Sequence, residues 1–297
     1  MRRVFINTLI ELAKKDKDIV LITPDMGFSV LETFFEEFPD RAINCGIAEQ
    51  NAVSLASGLA LMGKKPYVYT IIPFLAGRAF EQVKLDVAYM NTNVKLIGIG
   101  AGYTYGTAGA THHAIEDIAI MRSIPNMTIC CPGDNNEAEQ ITRLSAETNK
   151  PMYIRIGRHN RGVYNFNKLE IGKASIIKKG EDIAVISTSN MLPDAVGYCK
   201  VLEKQGRKPY LISMHTVKPI DKECILKLVN DGVEIHTMEE HNIIGGLGSA
   251  VAEIIAESGK GTKFKRIGIP DEFSHYIGNQ KYIKEQFGLY FNEGQAE

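Results

Sequence analysis

Short apolar runs alternate with amphipathic segments along nearly the whole chain, and this alternation restricts the possible folds more than any other feature. Runs of five or six residues rich in Val, Ile and Leu are long enough for a strand but too short for a buried helix. Between them, apolar residues recur three and four positions apart, which predicts helices packed on a sheet. Strands joined through helices pair in parallel, so the sequence predicts an α/β fold with mainly parallel sheets.

Five strands and five helices are predicted in the first half of the chain. Each strand is a short apolar run, and each helix places its apolar residues on one face. Asp134 is a plausible N-terminal cap for the last helix, because its carboxylate can accept a backbone N–H. The predicted helices cover residues 4–14, 52–60, 76–89, 114–122 and a segment from Asn136, and the strands cover 18–22, 65–70, 94–99, 127–131 and 152–156.

A polar, turn-rich passage from Gly157 to about Lys179 then interrupts the pattern and is predicted to be a linker. The alternation restarts after it, with strands at 183–187, 209–212 and 233–238 and helices at about 192–205, 222–230 and 248–258. The sequence therefore predicts two consecutive three-layer α/β domains, at 1–165 and 181–297, joined by a linker at 166–180.

Composition excludes several function classes. The 297 residues suffice for one large or two ordinary domains, and a formal net charge of −1 argues against a nucleic-acid or membrane surface as the main partner. No apolar run approaches the roughly 20 residues that span a bilayer. The five cysteines have neither a disulfide nor a metal-ligand spacing, so we expect no metal on this chain. Reduced thiols and an N-terminus without a secretory pattern predict a cytoplasmic protein.

Glu49 is the residue most suggestive of chemistry. Its carboxylate stands in a small-residue passage that leads into the apolar helix predicted at 52–60. If it is buried, desolvation favours the protonated acid, which can donate to a ring nitrogen of a cofactor. Alternatively, it is an ordinary acidic residue stabilised by the positive end of the helix dipole. The local sequence leaves both interpretations open.

Two loops after predicted strands add candidate site residues. In the first, Phe74 and Phe80 could offer aromatic faces to a planar ring, although core packing explains both equally well. The second, at 98–113, contains five glycines and ends in His112 and His113. Loops at the carboxyl ends of parallel strands are where active sites gather, and histidines there suit acid–base work near neutral pH. Adjacent histidines seldom bind one metal, and the glycine spacing does not match a dinucleotide-binding loop.

Three arginines near the end of the strand at 152–156 are further candidates. Arg155 and Arg158 could bind a phosphate or carboxylate group through their guanidinium donors. For Arg161, a solvated surface charge is the better interpretation.

Taken together, these segments resemble the C-terminal half of transketolase. The segment at 46–51 resembles the family's glycine-x-x-glutamate motif, and the segment at 109–116 resembles its threonine–histidine motif. Related deoxyxylulose-phosphate synthases and 2-oxoacid dehydrogenase β-subunits share these marks. Further similarity extends over nearly the whole chain, at residues 124–127, 132–137, 217–221 and 239–248.

The resemblance implies a thiamine-diphosphate cofactor whose aminopyrimidine end lies on this chain. Glu49 would bond the pyrimidine ring nitrogen and activate the cofactor, and the pyrimidine would stack on Phe74, with Arg78 and Phe80 also in contact. His112 would serve as a donor or acid–base group near the substrate. The family's Gly-Asp-Gly…Asn motif for the diphosphate and metal is not in the sequence. An N-terminal partner subunit would therefore supply that site with its Mg²⁺ or Ca²⁺, and two copies of this chain would pair within a heterotetramer.

Departures from the family pattern bear on the substrate. Ala108 stands where transketolases have an aspartate that reads a donor hydroxyl, and Gly100 lies where a second histidine is expected. By the same alignment, Arg158 and Ser29 correspond to phosphate-binding residues, with His112, His113 and Arg155 as other substrate contacts. The implied activity is ketol or acyl transfer from a ketose-type donor to an aldehyde, on a modified or nucleotide-linked sugar. Two alternatives remain: a β-subunit of a 2-oxoacid dehydrogenase or synthase-like enzyme, and a non-catalytic scaffold.

Overall fold

The protein is described by a computed structural model that covers residues 1–158, 164 and 168–291. The first half of the chain alternates strands and helices, as the apolar periodicity predicts. In chain order its elements are α1 (Arg2–Lys15), β1 (Ile19–Thr23), α2 (Glu32–Glu37), β2 (Ala42–Asn44), α3 (Glu49–Leu61), β3 (Lys65–Ile71), α4 (Phe80–Gln82), β4 (Lys95–Ile99), α5 (Asp117–Arg122), β5 (Thr128–Cys130), α6 (Asn135–Glu147) and β6 (Met152–Ile156).

The second half repeats the alternation. Its elements are β7 (Ser175–Lys178), β8 (Ile183–Ser187), α7 (Leu192–Lys204), β9 (Pro209–Ser213), β10 (Thr216–Lys218), α8 (Lys222–Asn230), β11 (Glu234–Asn242), α9 (Leu247–Glu257), β12 (Phe264–Ile269) and α10 (Gln280–Gln286).

Seven strands form the first sheet, in the order β10-β5-β6-β4-β3-β1-β2. All neighbouring pairs are parallel except β10 with β5. Helices cover both faces: α1, α2 and α6 pack on one apolar core, and α3, α4 and α5 on the other. The interior strands β1, β4 and β6 are buried along their whole length, as expected for a doubly covered parallel sheet.

Five strands form the second sheet, in the order β12-β11-β8-β9-β7, with only β7 antiparallel to its neighbour. Its two faces carry separate apolar cores, one built with α7 and one with α8 and α9. The chain therefore forms two three-layer α/β units with mainly parallel sheets, which confirms the predicted fold class. Strand β10 belongs to the second half of the sequence but completes the first sheet, so the two units share an edge.

The structure differs from the sequence prediction in the shortest elements. The helix predicted at 76–89 consists of α4 flanked by π-helical turns at Phe74–Arg78 and Val83–Tyr89. Strand β7 lies inside the range predicted as a linker, while the predicted boundary at residue 165 falls outside the described residues. No helix among the described residues is long and apolar enough to cross a membrane.

Candidate active site

Four side chains from three separate segments meet at the carboxyl edge of the first sheet. A carboxylate oxygen of Glu49, at the start of α3, accepts a hydrogen bond from Arg78 Nη1 at 2.7 Å. The Arg78 guanidinium lies 4.4 Å from the centre of the Phe74 ring. That ring in turn meets the His112 ring edge-on, with centroids 5.2 Å apart. We call Glu49, Arg78, Phe74 and His112 the central row.

The topology of the sheet explains why these segments converge. Strands β2, β1, β3 and β4 lie side by side and run parallel, so the loops that follow them open on one edge. Glu49 follows β2, Phe74 and Arg78 follow β3, and His112 follows β4. The sequence predicts each of these loops separately, and the parallel order of the strands brings them together.

Glu49 is buried and also lies at a helix N-terminus. It lies in the first turn of α3, where the helix dipole favours a carboxylate, and its side chain is only 4% exposed. The chain turns into this helix at Gly46, which has a φ of +70°. Asn44 Oδ1 fixes the turn, because it accepts hydrogen bonds from the backbone N–H groups of Gly46 and Asp25 at 3.0 and 3.1 Å.

Cys45 is the thiol nearest to this carboxylate. Its Sγ lies within hydrogen-bonding distance of the Thr23 carbonyl oxygen, at 3.5 Å. Burial, and to a smaller extent the charge of Glu49, raises the pKa of Cys45 above its usual value. The thiol form is therefore favoured, and Cys45 is poorly suited to act as a nucleophile.

The glycine loop after β4 is held closed at its base. Gly102 and Ala114 exchange backbone hydrogen bonds of 3.0 Å in both directions. Gly100 has a φ of +95°, and a Cβ added there would lie 2.3 Å from the Tyr105 ring. Because the Tyr105 ring fills that space, the position of Gly100 has no room for the histidine expected in transketolases.

The two adjacent histidines have different environments. His112 is half-buried in the central row, and its Nδ1 lies 2.9 Å from Thr111 Oγ1. His113 is buried, with Nε2 3.4 Å from the Gly106 carbonyl oxygen and its ring edge-on to Tyr103. Burial lowers the pKa of His113 below its usual value. His113, predicted as a substrate contact, therefore has a packed interior environment, whereas His112 is the histidine beside Phe74.

Arg155, also predicted as a substrate contact, makes structural contacts in the interior. Its side chain is completely buried and forms an ion pair with Asp117, with Nε 2.9 Å from Oδ2. Its remaining donors contact Ser189 Oγ and the carbonyl oxygens of Ala114 and Glu240 at 2.7–3.1 Å. The guanidinium is engaged in joining the two units and cannot reach a ligand.

Three other predicted site residues lie outside the central row. Arg158 is exposed at the end of β6, and Ser29 is exposed in the loop after β1, where it has a φ of +61°. Phe80 is half-buried and packs on the apolar core on the α3 side of the first sheet. Arg161 lies outside the described residues.

Glu240 is a residue that sequence reasoning missed. Its buried carboxylate, on β11, accepts hydrogen bonds from the Tyr103 backbone N–H at 2.8 Å and from Asn190 and Gln280. It thereby ties the glycine loop to the second unit. Its sequence neighbourhood, Glu234–Asn242, is mostly polar and gave no sign of a buried role.

The central row suits a planar ligand that donates hydrogen bonds. The Arg78 guanidinium, itself flat and rich in donors, already lies between a buried carboxylate and an aromatic face. An aminopyrimidine ring has the same shape and can bond the same carboxylate, so Glu49 and Phe74 fit that end of thiamine diphosphate. Within the described residues, no group of three or more His, Cys, Asp or Glu side chains is arranged to hold a metal ion.

Comparison with known proteins identifies both units. Residues 1–162 match the family model of the transketolase pyrimidine binding domain, and residues 172–289 match that of the transketolase C-terminal domain. A putative transketolase C-terminal section of Methanocaldococcus jannaschii is 40% identical, over 97% of this chain and 92% of its own length.

Two relatives have names that include a substrate. An apulose-4-phosphate transketolase subunit of Phocaeicola vulgatus is 39% identical, over 97% of this chain and 93% of its own length. A 6-deoxy-6-sulfo-D-fructose transketolase subunit of a Clostridium species is 36% identical, over 97% and 90%. Among solved structures, a split gene transketolase, an inactive beta4 tetramer, superposes with a TM-score of 0.88 at 34% identity, covering 98% of this chain and 94% of that one.

Proposed function

This chain belongs to the transketolase family, as a transketolase-type transferase subunit with the pyrimidine-binding and C-terminal domains, and we propose that it binds thiamine diphosphate together with a partner subunit. The complex would transfer a ketol unit from a ketose-type donor to an aldehyde acceptor. The observation that supports this proposal most is the seat formed by Glu49 and Phe74, where the planar Arg78 guanidinium contacts both a buried carboxylate and an aromatic ring.

In the proposed site, Glu49 hydrogen-bonds the aminopyrimidine ring and Phe74 stacks on it. Phe80 supports this wall from the core side, and Arg78 borders the same seat. When bound, thiamine diphosphate supplies the carbon nucleophile that accepts the ketol unit. The chain's own contribution is to hold the pyrimidine, to exchange a proton with it through Glu49, and to keep water away from that carboxylate.

His112 is assigned to the substrate side of the site. It is half-buried at the end of the central row, with Thr111 and Tyr105 beside its ring. An imidazole in this position can donate to a substrate oxygen or exchange a proton with it near neutral pH. Tyr105, which the sequence did not single out, would orient that ring.

The diphosphate and its Mg²⁺ or Ca²⁺ are assigned to an N-terminal partner subunit. The chain lacks the Gly-Asp-Gly…Asn motif, and the relatives of matching length are named as a C-terminal section or as separate transketolase subunits. We propose a heterotetramer in which two copies of this chain pair. That a related split transketolase chain forms a tetramer of its own supports self-association of such chains.

We propose that the substrate is a modified sugar, because two relatives are named for apulose 4-phosphate and for 6-deoxy-6-sulfofructose. Ala108 agrees with this, since it is exposed in the glycine loop and has no hydrogen-bonding side chain for a donor hydroxyl. Arg158 and Ser29, both exposed near the same edge of the sheet, would bind the anionic end of the sugar.

The test is reconstitution with the partner encoded nearest to this chain, followed by calorimetric titration with thiamine diphosphate and Mg²⁺. We expect tight, metal-dependent binding to the complex and weak binding to the isolated chain. Equally tight binding to the isolated chain would refute the split site. Turnover of ketose phosphates but not of 2-oxoacids would support ketol transfer, and the reverse preference would favour the dehydrogenase or synthase alternative.

A further inference from the structure

We propose that Arg78 competes with the cofactor's aminopyrimidine for its seat and must leave Glu49 before the pyrimidine binds. This inference rests on the proposed function, since it concerns the same two groups, Glu49 and Phe74. Arg78 would then limit the affinity for the cofactor and would not bind the cofactor directly.

The geometry of Arg78 supports the competition. Its Nη1 donates to Glu49 Oε2 at 2.7 Å, and the same guanidinium lies 4.4 Å from the centre of the Phe74 ring. These are the two contacts assigned to the pyrimidine, one in the plane of the ring and one on its face. A stacked ring needs about the same separation from Phe74. The guanidinium and the pyrimidine therefore cannot use this seat together.

The charges of the two complexes also differ. An ion pair with Arg78 is made by the carboxylate form of Glu49, whereas donation to a pyrimidine nitrogen needs the carboxylic acid. When the guanidinium leaves, the buried carboxyl group of Glu49 loses its charged partner, and the pyrimidine takes over its hydrogen bond.

Arg78 is well placed to leave without disturbing the fold. Its side chain is 47% exposed, in contrast to the 4% of Glu49. It ends the π-helical turn Phe74–Arg78, and its neighbour Gly77 has open space around it. Rotation of the long side chain toward water is therefore possible while the backbone stays in place.

The experiment compares the reconstituted complex with variants Arg78→Met and Arg78→Lys, and with Arg143→Met as a matched control. Arg143 is a half-exposed, ion-paired arginine on α6, and removing it changes the net charge equally. Affinity for thiamine diphosphate is titrated by calorimetry at saturating Mg²⁺. Thermal stability is measured with and without the cofactor.

We expect Arg78→Met to bind thiamine diphosphate about 3- to 10-fold more tightly, the size expected for loss of one partly exposed ion pair. Without cofactor it should melt at a lower temperature, because Glu49 is left buried and unpaired. Arg78→Lys keeps the charge but not the planar face, so it should bind with intermediate affinity.

Weaker or unchanged binding by both Arg78 variants would overturn the proposal, and weaker binding would make Arg78 a direct ligand. A change of the same size in Arg143→Met would also overturn it, because the effect would then be one of net charge. Failure of the wild-type complex to bind thiamine diphosphate at all would instead refute the proposed function.

Discussion

The proposed role of Glu49 depends on which group contacts its carboxyl group. Glu49 is buried at a helix N-terminus and forms an ion pair with Arg78, whereas its proposed task is to hydrogen-bond the pyrimidine. A single side chain thereby links the group that occupies the seat to activation of the cofactor.

Glu49→Gln tests this assignment. Glutamine keeps the size and can still hydrogen-bond the pyrimidine, but it cannot exchange a proton with it. We expect the reconstituted complex to bind thiamine diphosphate while exchange of the cofactor's C2 proton with deuterium slows at least about 100-fold. The measurement is nuclear magnetic resonance after rapid quench. Glu81→Gln, an exposed carboxylate on α4, is the control and should exchange at the wild-type rate. Wild-type exchange in Glu49→Gln would remove Glu49 from the mechanism.

The same substitution should mainly affect activity at His112 and mainly affect stability at His113. His112→Asn should lower kcat by roughly 10²-fold or more and change the free energy of unfolding by less than about 1 kcal/mol, since the ring is half-buried. His113→Asn should cost roughly 1–3 kcal/mol of stability because His113 is buried against Tyr103. Steady-state kinetics and urea denaturation separate the two effects. The reverse pattern would place His113, not His112, in the site.

At the scale of elements, the glycine loop takes its shape from the second unit. The Glu240 carboxylate bonds the Tyr103 backbone N–H, and a Cβ on Gly102 would lie 2.3 Å from that carboxyl group. Glycine at this position is therefore required by its φ of +60° and also by the close approach of a side chain from β11. The loop that carries His112 is in this way fixed by a residue far away in sequence.

Gly102→Ala should be much more damaging than Gly109→Ala in the same loop. Both glycines have positive φ, but a Cβ on Gly109 meets nothing within 4 Å. We expect Gly109→Ala to lose about 1 kcal/mol from backbone strain alone. Gly102→Ala should lose about 2 kcal/mol or more, because Glu240 must also move, and its kcat should fall. Denaturation and kinetics measure both variants. Equal losses would mean that Glu240 does not constrain the loop.

Elements with a clear apolar pattern were predictable from sequence. Strand β8 has the predicted bounds because it is a nearly continuous apolar run, and helix α8 because its apolar residues recur on one face. Strands β2 and β10, of three residues each, show neither pattern and were missed. The central row was predictable as separate motifs. The roles of Glu240 and Arg155 were not, because each depends on contacts with the other half of the chain.

At the scale of the whole molecule, the two units are joined where an open parallel sheet usually binds a ligand. In the second sheet the strand order reverses between β8 and β11, and ligands of such sheets bind at that crevice. Here Arg155 bonds Ser189, just after β8, and the Glu240 carbonyl on β11. A side chain of the first unit therefore occupies the crevice of the second.

We expect acid to lower the stability of the folded protein through His215, which connects β9 to β10. The carbonyl oxygen of His215 accepts a hydrogen bond from the backbone N–H of Cys131. Burial lowers the pKa of His215 from 6.5 to about 4. As pH falls, the unfolded chain takes up this proton near pH 6.5 while the folded protein does not, so stability decreases until about pH 4. Between pH 7.5 and pH 5 the wild type should lose about 2 kcal/mol more than His215→Gln. Urea denaturation at both values measures the difference, and equal losses would contradict the assignment.

Arg155→Met should show how strongly the two units are coupled. It leaves Asp117 buried with Tyr153 as its remaining side-chain donor, so we expect a loss of about 3–5 kcal/mol in the free energy of unfolding. Arg143→Met, which removes an exposed ion pair, should lose less than about 1 kcal/mol. Because the chain has no tryptophan, circular dichroism in urea is the measurement.

A double-mutant cycle with Asp117→Asn separates this ion pair from the other bonds of Arg155. If the pair dominates, the double variant should be less destabilised than the sum of the single variants, with a coupling of about 1–3 kcal/mol. Additive losses would mean that the contacts with Ser189 and the two carbonyl oxygens hold the junction instead. A loss below about 1 kcal/mol in Arg155→Met would show that Arg155 is not what holds the two units together.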